Sequence, residues 1–194
     1  AVQYAELMDF CYAWLREGSR RRNRNDPEFE ILDTGVFAEE RYFDVFCEYA
    51  KEAPDDVLIR ITVTNRGNEK ATLHFLPQLW FRNTWSWTNT EPADKPRLTA
   101  VGTNAIKAFH PKMGEFRYDI EGSPELIFCE NETNPMRFGA PHRAGYWKDG
   151  FHEYVVRGNR EAVNPAGEGT KSATLFRLEL GAKEKKVFRF RLSR

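Results

Sequence analysis

Two aromatic clusters hold most of the side chains able to do chemistry. The first runs Leu79-Trp80-Phe81-Arg82-Asn83-Thr84-Trp85-Ser86-Trp87. Trp85 and Trp87 are two residues apart, so an extended segment puts both indoles on one face. With Arg82 and Asn83 alongside, that face can stack on the apolar C–H face of a sugar ring. The same residue types anchor packed domain interfaces, and they also occur as ordinary core. All three readings stay open on residue type alone. The second cluster is Tyr146-Trp147-Lys148-Asp149-Gly150-Phe151-His152-Glu153-Tyr154. Asp149, His152 and Glu153 invite an acid–base or metal reading. Against it, His152 and Glu153 are adjacent and point to opposite faces of a strand. His74, His110 and His142 likewise show no ligand spacing such as His-Glu-x-x-His. The expectation is no metal and no cofactor.

Carboxylates are paired at Glu39-Glu40, Asp55-Asp56 and Glu130/Glu132. A glycosidase needs two carboxyls at a defined separation across one sugar, and solvated loops account for these pairs more simply. No serine elbow, Walker loop or GxGxxG loop is present. Gly167-Glu168-Gly169-Thr170-Lys171 lacks the glycine spacing and the preceding apolar strand of a phosphate loop. The chain therefore shows no catalytic constellation of its own.

The elements that would position these residues are mostly strands. Leu7, Phe10, Cys11, Trp14 and Leu15 form the stripe of an amphipathic helix over residues 4–17. Gly18 and Ser19 end it, and Arg20, Arg21, Arg22 and Arg24 make a basic, solvated turn. Residues 42–48 read as a strand with one buried face. Residues 57–64 form the best strand, alternating from Arg60 onward. The turn Asn65-Arg66-Gly67-Asn68 joins it to a second alternating run over 71–80, which predicts an antiparallel hairpin. Further strands are expected at 105–110, 115–120, 126–130, 153–156, 173–180 and 186–192. Many short strands without alternating helices predict a mainly β fold, an antiparallel β-sandwich with a short N-terminal helix and long loops. The loops at 83–96 and 131–150 are too long and polar for tight hairpins, and function on a sandwich concentrates in such loops.

Composition bounds the partners. The chain has 194 residues, with 29 Lys+Arg balancing 29 Asp+Glu. Zero net charge lacks the basic face that replaces phosphate counterions, so no nucleic-acid partner is expected. No apolar run reaches the roughly 20 residues of a bilayer span, so no membrane partner is expected. Three cysteines (Cys11, Cys47 and Cys129) fit no zinc or redox motif. They read as small buried hydrophobes in a reduced, cytoplasmic setting. Ala1 rather than Met at the start reads as a chain processed or cut from something longer.

Several longer strings carry a resemblance. Glu30-Ile31-Leu32-Asp33-Thr34-Gly35-Val36-Phe37, Arg41-Tyr42-Phe43-Asp44-Val45 and the cluster from Leu79 to Trp87 resemble the N-terminal region of bacterial proteins related to glycoside hydrolase family 63. Those are processing α-glucosidases and mannosylglycerate-hydrolase-like enzymes. Glu130-Asn131-Glu132-Thr133-Asn134, the run from Lys148 to Val156, Asn164-Pro165 and Gly169-Thr170-Lys171 continue the match in order. The resemblance spans about residues 28–194, leaving 1–27 as an N-terminal helix and basic turn before the sandwich domain. It implies a sandwich of the super-sandwich type preceding an (α/α)6 barrel that holds the general acid and base and inverts the anomeric centre. No catalytic residue of that family transfers to any position here.

The reading is thus a non-catalytic domain that buttresses a barrel of the same parent chain and shapes its pocket rim. Arg82, Asn83, Trp85, Trp87, Trp147, Asp149 and His152 are its interface or rim candidates. The isolated chain is expected to be inactive, within a parent that is an α-glucosidase-like glycoside hydrolase. A rival reading is an independent carbohydrate-binding module that holds oligosaccharide on Trp85, Trp87 and Trp147. A third is a self-sufficient hydrolase using Asp149 and Glu153.

Overall fold

A computed structural model of the chain describes residues 12–86 and 95–194. Cys11, Trp87 and the first part of the expected helix lie outside them. Residues 12–20 are helical (α1). Gly18 sits against the Phe29 ring, and the Arg22 guanidinium lies 4.9 Å from that ring's centre while donating to Pro27 O and Glu28 O. The helix thus runs past its expected stop, through Gly18, Ser19 and Arg20, and the rest of the basic run is a turn in which Arg22 holds the carbonyls of Pro27 and Glu28.

Eleven strands follow: β1 Phe43–Ala53, β2 Asp56–Asn65, β3 Ala71–Phe75, β4 Gln78–Trp80, β5 Arg97–Val101, β6 Ala105–His110, β7 Gly114–Ile120, β8 Glu125–Cys129, β9 Glu168–Gly169, β10 Lys171–Leu180 and β11 Lys185–Ser193. A second helix, α2, spans Gly150–Arg157. Seven strands form one antiparallel sheet in the order β1-β2-β11-β7-β6-β5-β9. In the smaller sheet β10 is the hub, pairing with β3, β4 and β8. The architecture is mainly β, an antiparallel sandwich.

Strand alternation explains the layering. Ile59 and Ile61 on β2 share a face with their register partners Phe190 and Phe188 on β11, and Val63 joins them in the core. That face meets Phe128, Leu178 and Leu180 of the small sheet in the main core. The opposite face of the large sheet is charged and solvated, laced with ion pairs such as Arg60–Glu48, Arg189–Glu121 and Lys107–Glu115. The small sheet is covered on both sides. Ile127, Cys129, Ala173 and Leu175 turn away from the main core and pack on Phe151 and Tyr154 of α2. The small sheet is thus the middle of three layers, with α2 and the loop before it on top.

The structure corrects several sequence expectations. β2 does not form a hairpin with β3: it pairs with β1 and β11, while β3 joins the other sheet. Asn65 explains the divergence. Its side-chain amide donates to Glu69 O, Leu180 O and Gly181 O, and its Oδ1 accepts from Gly67 N. This buried knot turns the chain out of one sheet and into the other. The run 71–80 is two strands rather than one, broken at Leu76-Pro77, because proline cannot donate to a ladder. Pro77 O instead accepts from Thr174 N, 2.9 Å away. Residues 153–156 are not a strand but part of α2, which buries Phe151 and Tyr154 at helical spacing and ends on Gly158 with φ +69°. Glycine takes that left-handed conformation without a Cβ penalty. β1 has no buried face: Val45, Phe46 and Tyr49 are 50–69% exposed, because β1 is the edge of a sheet wider than its partner. Cys47 is consequently exposed, whereas Cys129 is buried. β5 was not anticipated, since Arg97–Val101 follows a polar loop and is only five residues long.

Candidate functional site

The described ends of the first long loop, residues 83–86 and Lys95, meet the second at one end of the middle layer. β4 ends there, with Leu79 packed on the core and Trp80 on the opposite face, half exposed at 52%. The chain then turns at Asn83, whose Oδ1 accepts from Ser86 N (3.1 Å) and Ser86 Oγ (2.9 Å). This is an Asx-type turn, which the sequence Asn-x-x-Ser favours locally.

The turn is tied to the second loop reciprocally. Asn83 Nδ2 donates to Asn131 O at 2.8 Å, and Asn131 Nδ2 donates to Phe81 O at 3.0 Å. Asn131 N donates to Thr170 Oγ1, which donates in turn to Glu130 Oε2 at 2.7 Å. Thr170 can reach because Gly169 runs against β8: a Cβ there would lie 2.3 Å from Cys129 O. Lys95 completes the frame, its Nζ 2.8 Å from Glu130 Oε2 and 3.0 Å from Glu132 Oε1. Trp85 Nε1 donates to the same Glu132 Oε1 at 2.9 Å.

The electrostatics follow from these contacts. Burial pushes the Glu132 carboxyl up, but the hydrogen bonds from Trp85 and Lys95 and the Lys95 charge outweigh it and hold it below the usual carboxylate range. Burial likewise disfavours the Lys95 ammonium, and its two carboxylate partners more than compensate. Glu132 is a carboxylate and Lys95 an ammonium at neutral pH.

The second loop has its own clasp. Asp149 Oδ2 accepts from Arg137 Nε (2.6 Å) and Asn134 Nδ2 (3.1 Å), and Arg137 Nη2 also lies 3.5 Å from Glu153. Burial raises the Asp149 pKa, and the Arg137 and Asn134 contacts bring it below the ordinary value. Asn134 caps the short helical turn Pro135–Phe138 by accepting from Met136 N. That turn presents Met136 (36% exposed) and Phe138 (80% exposed) to solvent.

Between the loops lies an open cleft of about 540 Å³. Trp80, Asn83, Ser86, Asn131, Glu132, Thr133 and Lys148 line it. Of the residues singled out in sequence, Asn83 and Trp85 belong to this frame, and Arg82 is exposed beside it. Asp149 and Trp147 are on the second loop, the latter buried at 8% exposure, so its ring is no surface platform. His152 is exposed on α2 and does not line the cleft. Asp149 and Glu153 share the Arg137 guanidinium as an ion-pair cluster. Trp80, Asn131, Glu132 and Lys148 were not singled out as site residues. Strand parity was the available signal for Trp80: once Leu79 faces inward, Trp80 must face outward. Among the described residues no three His, Cys, Asp or Glu side chains are grouped to hold a metal, and no helix is long and apolar enough to cross a membrane.

No family model matches the chain. It is similar to an uncharacterized protein of Saccharomyces cerevisiae. The two are 33% identical over 201 residues, a match covering 86% of this chain. The chain spans 18% of the length of that yeast protein. A solved polysaccharide lyase aligns at 12% identity and a TM-score of 0.45, over 78% of this chain and 20% of the lyase chain.

Proposed function

We propose that this chain is a non-catalytic β-sandwich domain of a larger carbohydrate-active protein. In this reading it buttresses an (α/α)6 catalytic barrel of the kind found in glycoside hydrolase family 63. The carrying observation is the second loop: it is clamped internally by Asp149, Arg137 and Asn134, yet it holds Phe138 80% exposed. A large apolar side chain held out on an immobilised loop costs little further ordering when it docks, which suits a packed contact between domains. The ordered strings that resemble family 63 supply the identity of the proposed partner. The small share of the yeast relative that the chain spans is in keeping with a domain of a larger protein.

Two measurements test the proposal. The 194-residue chain alone should not turn over an aryl α-glucoside; turnover lost on Asp149→Asn or Glu153→Gln defeats the proposal in favour of a self-sufficient hydrolase. In the full-length gene product, Phe138→Asp should lower that hydrolysis at least tenfold, by desolvating a charge in the contact. Unchanged activity removes the loop face as the docking surface.

A further inference from the structure

The cleft between the loops has a composition of its own among the described residues. Its floor offers one half-exposed indole, Trp80. Its walls offer polar groups, and two of these residues, Asn131 and Glu132, are held in place through other atoms of the same residue. Asn131 is held through its backbone and Nδ2, leaving Oδ1 with no partner among the described residues. The Glu132 carboxylate receives the Trp85 and Lys95 hydrogen bonds on Oε1, and Oε2 has no partner among the described residues. Thr133 is exposed, and Lys148 Nζ makes no ion pair among the described residues, while Lys148 N is anchored on Glu132 O at 3.0 Å. The result is two held acceptors and two exposed donors around an aromatic face.

We infer that this cleft is a binding site for a neutral saccharide, with Trp80 as the ring on which one pyranose stacks. The apolar C–H face of a pyranose matches the indole. Its hydroxyls, each both donor and acceptor, match Asn131 Oδ1, Glu132 Oε2, the Thr133 hydroxyl and Lys148 Nζ. The charges at the cleft balance: Lys95 and Lys148 stand against Glu130 and Glu132, and Lys95 is already taken up by the two carboxylates. That balance gives an anionic ligand no net attraction and costs a neutral one nothing. The volume lies within the range of small-ligand sites, and the open shape predicts millimolar rather than nanomolar binding. This inference does not depend on a catalytic barrel: the docking experiment reads hydrolysis by the longer protein, and the one below reads binding to this chain alone. Either can fail while the other stands.

The experiment is an NMR titration of the ¹⁵N-labelled 194-residue chain with maltotriose, cellotriose and mannotriose, following the tryptophan indole N–H signals. At least one trisaccharide should shift the Trp80 signal saturably, with an affinity unchanged when salt is raised. Trp80→Ala should weaken that binding about tenfold or more, and Trp80→Phe, which keeps a ring, should retain most of it. Trp80 is half exposed, so both variants should keep the dispersed spectrum of the folded chain, which the same titration reads. Thr133→Ala gives a second arm that leaves the indole untouched and should weaken binding by a smaller factor. No saturable shift from any of the three sugars at about 20 mM overturns the inference, since a working millimolar site would be mostly filled. So does sugar binding that Trp80→Ala leaves intact. Binding confined to glucose 6-phosphate and abolished by salt also overturns it, by making the cleft an anion site centred on Lys148.

Discussion

Trp147 separates packing from recognition more sharply than any other residue in the chain. It is 8% exposed, its ring is closely approached by Gly145, and the Arg143 guanidinium lies 5.8 Å from its centre. Replacing a large buried ring by alanine costs about 3–5 kcal/mol. For a domain of this size each kcal/mol moves the melting temperature by about 2–4 °C, so Trp147→Ala should lower it by about 6–20 °C. Phenylalanine should behave differently, for a reason specific to this site. The indole Nε1 is buried without a hydrogen-bond partner among the described residues, and an unsatisfied buried donor carries a penalty of about 1–3 kcal/mol. Trp147→Phe gives up some packing but removes that donor, and the two effects nearly cancel, leaving a net change within about 1 kcal/mol. Urea denaturation of the three proteins, with melting curves alongside, measures both numbers. An alanine variant within about 1 kcal/mol of the parent would show that the ring is not core. A phenylalanine variant as damaged as the alanine one would show that the N–H is satisfied and valuable.

Two further outcomes follow from the loop frame and the cysteines. The Glu132 and Asp149 carboxyls are held below their ordinary values in the folded chain, so their contribution is present above the ordinary carboxylate range and is lost as pH falls through the depressed folded values. Urea midpoints measured between about pH 3 and 7 should fall toward acid, and less steeply in Glu132→Gln; equal slopes would refute the role given to Glu132. Burial pushes the Cys129 thiol up to about 12, while Cys47 lies exposed on β1. Iodoacetamide at about pH 8 should therefore alkylate Cys47 in the folded chain and reach Cys129 only after denaturation, read by peptide mass spectrometry.

The strands that alternate for six or more residues were legible. β2, β6, β7, β10 and β11 all appear within a residue or two of their expected bounds, since one buried face imposes period two on the sequence. Pairing was less legible. Nothing in Asn65-Arg66-Gly67-Asn68 distinguishes a hairpin turn from a crossover between sheets, because the deciding bonds run from Asn65 to Leu180 and Gly181, more than a hundred residues away. α2 was misread because its four-residue window Glu153–Val156 is too short to separate the two periods, and Val155 and Val156 favour a strand. At the cleft, residue type pointed to the two loops and to Asn83 and Trp85 in their frame, but not to the Trp80 that lines it. Trp147 sits among glycine and charged residues, the local texture of a surface, yet it is buried. Trp80 ends an alternating apolar run, the texture of a core, yet it is half exposed. Burial in both cases is decided by which layer lies overhead, and that is a property of the assembled sandwich.

The uneven width of the two sheets has a further consequence. β1 borders the seven-stranded sheet along eleven residues, with Val45, Phe46 and Tyr49 largely exposed. One whole side of its peptide groups is free to pair, and an open strand edge of that length is a template for another chain. Asp44, Glu48, Lys51 and Glu52 punctuate the strand and make stacking against an identical copy electrostatically awkward at low salt. Salt screens those charges while leaving the apolar side chains as adhesive as before. Self-association through this border should therefore grow with ionic strength and concentration, independently of how tightly the core behind it is packed.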